Sequence, residues 1–319
     1  MRVLLVGVAG FIGSHLADRL LNNDHQVIGV DNFNTGRREN LAQVHEHPEF
    51  QLIEHDIVES FNLDKPVDWV MHFASPTGPG KFMEYPIQTL RVNSEGTRCL
   101  LELAHRYNAK FFLASTGKVY GDPDLHPQSE SYFGNVNPNS PRSVYDEAKR
   151  FAESLTQAYH RKFGLDVRIA RIFNTYGPRM YSNNGCVIIK FITQAINGQP
   201  ITVYGNGSQT RSFQFVDDLI DGILSLMNVK FHKPVNLGCP EERQILELAY
   251  LIRKLTRSAS EIQYLPLPKD EPQTRCPDIT LAKKLLEWDP QVDFLTGLRQ
   301  TLDHVQSQTA ANSTVMIDA

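Results

Sequence analysis

The chain has 319 residues, of which 41% are hydrophobic and 21% charged, with a net charge of −4. That balance suits a globular protein with one large core, or a large and a smaller lobe, and gives no electrostatic basis for binding nucleic acid or an anionic membrane. The four cysteines, Cys99, Cys186, Cys239 and Cys276, are widely separated and form no Cys-x-x-Cys pair, which disfavours disulfide or metal chemistry and suits a reducing compartment.

Met1 and Arg2 lead directly into the apolar run Val3–Val6, which Gly7 ends; this is not a signal-peptide pattern. No stretch approaches the roughly 20 apolar residues of a membrane span, so a cytoplasmic location is expected. Short β-branched runs at Arg2–Gly7, Gln26–Asp31, Phe50–His55, Trp69–Phe73, Lys110–Ala114 and Val167–Ile172 read as strands. Helical patterns lie between them at Ile12–Asn22, Thr89–Tyr107 and Tyr145–Phe163. The alternation predicts an α/β, doubly wound parallel (Rossmann) sheet over residues 1–175. Beyond it, Pro178, Pro200 and Gly205–Gly207 break the pattern, and helices are expected at Val187–Asn197, Asp217–Met227 and Leu246–Leu255. Residues 176–306 thus read as a smaller, mixed α/β substrate lobe, with segments around 205–240 returning to the first domain. Residues 307–319 read as a frayed tail, and the Asn-rich Met180–Gly185 as a flap over the ligand.

Gly7-Val8-Ala9-Gly10-Phe11-Ile12-Gly13 joins the first strand to the first helix. Glycines there permit a tight turn and close approach of backbone to a pyrophosphate, which the helix N-terminus attracts. The spacing is Gly-x-x-Gly-x-x-Gly rather than Gly-x-Gly-x-x-Gly. Asp31 ends the second strand, where a carboxylate accepts bonds from ribose hydroxyls and repels a 2′-phosphate. NAD is therefore expected over NADP, although Arg37 nearby softens the discrimination. Asp56-Ile57, past the third strand, either reaches an adenine amino group or is an ordinary solvated strand end; the sequence leaves both open.

Tyr145 and Lys149 are four apart on a helical stretch and share a face. A neighbouring ammonium favours the phenolate, so Tyr145 can act as a base while Lys149 also holds a nicotinamide ribose. Thr116, just after the strand Lys110–Ala114, offers a hydroxyl to the reacting oxygen. A regulatory protein that only binds NAD is the non-catalytic alternative, and the intact Thr116, Tyr145 and Lys149 argue against it.

These segments are similar to a known family. GVAGFIGSH (7–15), VDNFNTGRREN (30–40), HFASP (72–76), NSEGT (93–97), PRSVYDEAKR (141–150), RIARIFNTYGPRM (168–180) and VYGNGSQTRSFQFVDDLIDG (203–222) resemble the UDP-glucuronate decarboxylases (UDP-xylose synthases). These belong to the extended short-chain dehydrogenase/reductases, with UDP-galactose 4-epimerase and dTDP-glucose 4,6-dehydratase. The resemblance covers roughly residues 1–305. It implies NAD-dependent decarboxylation of UDP-glucuronate to UDP-xylose through a 4-keto intermediate, and a homodimer built by pairing Thr89–Tyr107 and Tyr145–Phe163 into a four-helix bundle. It also implies that Phe11, Ile12, Asn32, Ala74 and Asn93 join the cofactor set. Ser75, Asn174, Arg179, Tyr204, Gln209, Arg211 and Arg275 are the implied substrate set; no metal is implied.

The chain departs from the family at Val8, which replaces a glycine common in the fingerprint with little consequence expected, and at a second place. Gly117-Lys118 stands where the decarboxylases have Ser-Glu, so the acidic group tied to decarboxylation is replaced by a cation. Three readings remain: Lys118 binds the uronate and takes over proton transfer at C5; the enzyme is a 4-epimerase; or it is a weakened family member that binds NAD and UDP-sugar.

Overall fold

The computed structural model describes residues 1–141, 143–181, 186–267 and 274–315, with side chains described as far as residue 308. The first half runs β1 (Arg2–Val6), α1 (Phe11–Asn22), β2 (Gln26–Asp31), β3 (Phe50–Glu54), β4 (Trp69–His72), α2 (Pro79–Glu84), α3 (Pro86–Arg91), α4 (Thr97–Tyr107), β5 (Lys110–Thr116), α5 (Ser143–Phe163) and β6 (Val167–Ile172). The second half adds β7 (Thr175–Tyr176), α6 (Val187–Ile196), β8 (Ile201–Tyr204), β9 (Thr210–Ser212), β10 (Gln214–Phe215), α7 (Val216–Asn228), β11 (Pro234–Leu237), β12 (Glu242–Gln244), α8 (Ile245–Leu255), β13 (Ile262–Leu265), α9 (Thr280–Leu286) and α10 (Phe294–Val315).

Among the described residues the main sheet has seven strands in the order β11-β6-β5-β4-β1-β2-β3, all neighbours parallel. Crossover helices cover both faces, so its central strands are apolar throughout rather than alternating. β1 shows how the faces divide. Val3 and Leu5 pack with Leu16 and Leu20 of α1 and Leu219 and Ile223 of α7, while Leu4 and Val6 pack with Leu100 and Ala104 of α4 and Ala152 of α5. The expected doubly wound architecture is therefore present, and β11, paired with β6, is the strand that returns from beyond residue 205.

The remaining strands form small pairs: β7 with β10 and β8 with β13 in parallel, β9 with β12 antiparallel. Two expectations need correction. The helix expected over Thr89–Tyr107 begins earlier, at Pro86, and is interrupted by a π-helical turn over Val92–Gly96. A single inserted residue of this kind cannot be seen in a helical period, and such turns gather at functional sites. The frayed tail expected from Ser307 is instead a continuation of α10 as far as Val315. Of the expected flap, residues 182–185 lie outside the described residues. Among the described residues no helix is long and apolar enough to cross a membrane.

Asn236 of β11 ties the returning strand to the loops above the sheet. It is fully buried, accepts the Tyr120 hydroxyl at 2.8 Å, and donates from Nδ2 to the carbonyls of Gln128 and Asp278, both at 3.0 Å. Removing the amide breaks three bonds in a largely buried place. Asn236→Ala should therefore cost about 3 kcal/mol, read as a lower urea midpoint with an unchanged m-value.

Candidate active site

The glycine loop is shaped by contacts that exclude side chains. Gly7 has φ +83°, and a Cβ on it would lie 2.6 Å from the Ala74 nitrogen. A Cβ on Gly13 would lie 2.1 Å from the Gly7 carbonyl oxygen, so α1 approaches the loop as closely as backbone allows. Gly10 is the N-cap of α1 and has no side chain to bond the first amides. Its first turn, Phe11-Ile12-Gly13, therefore presents unclaimed N–H donors and the positive end of the helix dipole.

Asp31, at the end of β2, is buried. Its two carboxylate oxygens accept the Ala9 and Phe33 N–H groups, each at 2.9 Å. Burial pushes its carboxyl above the usual range, and the backbone bonds pull the other way. The same acid thus organises the loop and stays at its rim with lone pairs to spare. Asn32 Nδ2 donates to Asp56 at 3.1 Å, and Asp56 also accepts the Val58 N–H. Ile57 is buried against Gly96. The Arg37 guanidinium lies 3.9 Å over the Tyr181 ring. Asn93, on the π-helical turn, is fully buried and donates to Ser75 Oγ at 2.9 Å, which brings both beside Ala74. An open helix N-terminus, a glycine cradle that a single Cβ would fill and a strand-end carboxylate together fit a dinucleotide.

Thr116, Tyr145 and Lys149 converge at the end of β5. The Thr116 hydroxyl acts on the Tyr145 phenol from the end of β5 and favours its ionised form, and Lys149 Nζ donates to the Ala114 carbonyl at 2.9 Å. Lys149 Nζ lies 5.9 Å from the centre of the Tyr145 ring, and Lys118 Nζ lies 5.0 Å from it and 4.9 Å from that of Phe82. Phe82 stacks on Tyr145 with centroids 5.4 Å apart. The expectation of a phenol made acidic by Lys149 needs one correction. Burial raises the Tyr145 phenol above its ordinary value, Asp146 adds to the rise, and the Thr116 bond opposes it. Lys149 itself is lowered by burial to about 7, with Glu153 opposing the fall.

Gly117 is explained by its neighbour: a Cβ there would lie 2.9 Å from the Phe173 ring. In the smaller lobe, Arg211 of β9 and Arg275 are both buried, and Ser212 Oγ donates to the Arg275 carbonyl at 3.4 Å, which places the two segments side by side. Asn174 Nδ2 donates to the Ser212 carbonyl at 3.3 Å. Tyr204 is half-exposed, with Lys190 Nζ 4.7 Å over its ring and Gln209 bonded to its carbonyl. Arg179 is held elsewhere: its guanidinium bonds Asp18 of α1 at 2.6 Å and Gln43 at 2.7 Å. Sequence reasoning passed over Phe82, Glu153 and Arg171. Glu153 was legible as the residue one helical turn after Lys149; Arg171 was not, because its partner lies on another element.

A glycine loop, a strand-end acid and a Thr–Tyr–Lys group at the C-terminal ends of parallel strands define a dinucleotide-dependent fold of one kind. The chain belongs to the NAD dependent epimerase/dehydratase family, whose model matches residues 3–238. It is 52% identical over 303 residues to UDP-glucuronic acid decarboxylase 1 of Danio rerio, covering 95% of this chain and 72% of that protein. It is 46% identical over 299 residues to UDP-glucuronic acid decarboxylase 3 of Arabidopsis thaliana, covering 93% and 87%. Among solved structures it is similar to UDP-glucuronic acid 4-epimerase from Bacillus cereus in complex with UDP-glucuronic acid and NAD. There the TM-score is 0.86 at 30% identity, over 97% of this chain and all of that one.

Because burial disfavours the ammonium, Lys149 should titrate near 7 in protein stripped of nucleotide. Its 13Cε resonance, assigned by loss in Lys149→Met, reads this directly; a midpoint at the ordinary lysine value contradicts the buried position.

Proposed function

We propose that the chain decarboxylates UDP-glucuronate to UDP-xylose with NAD as a resident cofactor, through a 4-keto sugar. The observation that carries the reading is Tyr145 set beside Thr116 with two ammonium groups near its ring, in a chain nearly half identical to decarboxylases along almost its whole length. Residues 1–175 would hold the dinucleotide through Gly7, Gly10, Phe11, Ile12, Gly13, Asp31, Asn32, Arg37, Asp56, Ile57, Ala74, Asn93 and Lys149. Residues 176–306 carry Tyr204, Gln209, Arg211 and Arg275 for the nucleotide sugar, with Ser75 and Asn174 facing it from the first domain.

When bound, NAD supplies oxidation at the sugar C4 and its reversal, so a turnover has no net redox change. Tyr145 takes the C4 hydroxyl proton, Thr116 hydrogen-bonds that oxygen, and the cations beside the ring stabilise the phenolate. A ketone at C4 makes the C5 carboxylate a β-keto acid. Carbon dioxide then leaves, and C5 gains a proton. Lys118, 5.0 Å from the Tyr145 ring centre, takes the position of the family's acid in that step, binding the uronate carboxylate and supplying the proton. A second reading, 4-epimerisation of the uronate, is favoured by that same substitution, because a cation that only anchors the carboxylate leaves C4 chemistry as the outcome.

Incubation of NAD-loaded protein with UDP-glucuronate, with products identified by mass and NMR, separates the readings. UDP-xylose is expected; UDP-galacturonate supports the epimerase, and untouched substrate overturns both. Tyr145→Phe should lower the rate about 10²–10⁴-fold, and Lys118→Glu tests whether the cation limits decarboxylation.

We also infer a homodimer. α2, α3 and α4 pack against α5 and leave Met83 of α2, Ile87 and Leu90 of α3 and Phe151 of α5 exposed, Ile87 to 62% and Phe151 to 51%. An apolar stripe on a helical face of this kind is what a four-helix bundle between two copies covers. Ile87→Asp should convert the dimer to monomer in light scattering; a wild-type chain monomeric at micromolar concentration contradicts the inference.

A further inference from the structure

Glu153 follows Lys149 by one helical turn on α5 and shares its face. Both are removed from water, Lys149 to 2% and Glu153 to 8% exposure. Three donors grip the carboxylate: Ser115 Oγ at 2.5 Å and Arg171 Nε at 3.0 Å on Oε1, and Arg171 Nη2 at 2.8 Å on Oε2. Arg171 also donates from Nη1 to the Tyr120 hydroxyl at 2.9 Å, and Tyr120 donates in turn to Asn236. A carboxylate held by a forked guanidinium and a hydroxyl is fixed in place beside the lysine's helix face.

The groups around Lys149 come from four elements. Tyr145 and Glu153 lie on its own helix. His72 of β4 is fully buried and kept neutral, its imidazole lowered to about 3 chiefly by burial and further by the Lys149 charge. Arg171 of β6 reaches this group through Glu153, Lys118 sits over the Tyr145 ring, and Asp146 acts on Tyr145. Among these groups Glu153 is the anion that works on Lys149, and it opposes the effect of burial.

We propose that Glu153 is a positioning residue for the reaction: its carboxylate, locked by Arg171 and Ser115, keeps Lys149 cationic beside Tyr145 so that the phenol can ionise. The role in turnover rests on Tyr145 being the base. The salt bridge to Arg171 is thus more than a structural pair. Without the carboxylate, Lys149 loses its anion, the Arg171 charge is left uncompensated in the interior, and the field on the lysine reverses sign.

The test is the Lys149 13Cε titration in NAD-loaded protein, with the pH dependence of kcat/KM beside it. Glu153→Gln should lower the lysine midpoint by about one unit or more. It should also move the acid limb of kcat/KM to higher pH, because the phenolate forms less readily; a one-unit move is about tenfold in rate on that limb. Glu153→Asp keeps the charge and should restore most of both. Glu153→Gln combined with Arg171→Gln removes the anion and the stranded cation together, so its midpoint should fall between the single variant and the wild type. A folded Glu153→Gln whose lysine midpoint matches the wild type overturns the proposal. Should that variant fail to fold, a double variant with a midpoint at or above the wild type overturns it instead. The lysine titration decides this question even if the wild type leaves UDP-glucuronate untouched, an outcome that sinks the proposed activity alone.

Discussion

A buried ammonium with no water around it has to be hydrogen-bonded and charge-compensated by the fold, and Lys149 imposes that requirement on everything near it. The Ala114 carbonyl at the end of β5 accepts a hydrogen bond from it, which fixes the distance between α5 and the sheet. The register of α5 then follows, and with it the meeting of Tyr145 with Thr116. The imidazole of His72, buried in the same place, stays neutral rather than adding a second charge. The glycine loop meets the same sheet one strand away, where β4 and β1 are neighbours and Gly7 lies against Ala74. Both halves of the candidate site are therefore referred to one rigid set of strand ends, which is how an open α/β sheet holds reacting groups in place.

Two cations lie near one buried phenol at the site. Lys118 is nearer the Tyr145 ring than Lys149 is, and it reaches that ring from the short helical turn that follows β5. An acid at that position would have set a negative group near the phenol and worked against its ionisation. The lysine sets a cation there instead and changes which group is available to a sugar carboxylate, so the product separates the two readings.

Much of this was legible in the amino-acid sequence. Apolar runs bounded by glycine and polar residues marked the six strands of the first domain within a residue or two at most ends, since strands buried on both faces leave a strong compositional trace. The glycine loop, Asp31 and the Tyr145–Lys149 pair were legible because each depends on spacing within one segment. What escaped was long-range or subtle. The π-helical turn at Val92–Gly96 leaves the helical period almost intact. The pairing of Arg179 with Asp18 and Gln43 joins residues far apart in the chain, as does that of Glu153 with Arg171. The state of Tyr145 depends on burial, which spacing does not report.

Phe173 links two parts of the site that otherwise have separate tasks. Its ring fills the space a Cβ at Gly117 would need, and its Cβ lies 2.8 Å from where one at Gly238 would be, with Pro277 closing the other side of Gly238. The turn carrying Lys118 and the segment following Arg275 are thus wedged against one aromatic ring. Residues 117, 173 and 238 are sterically coupled: a side chain introduced at 117 or 238 demands a smaller or displaced neighbour at 173.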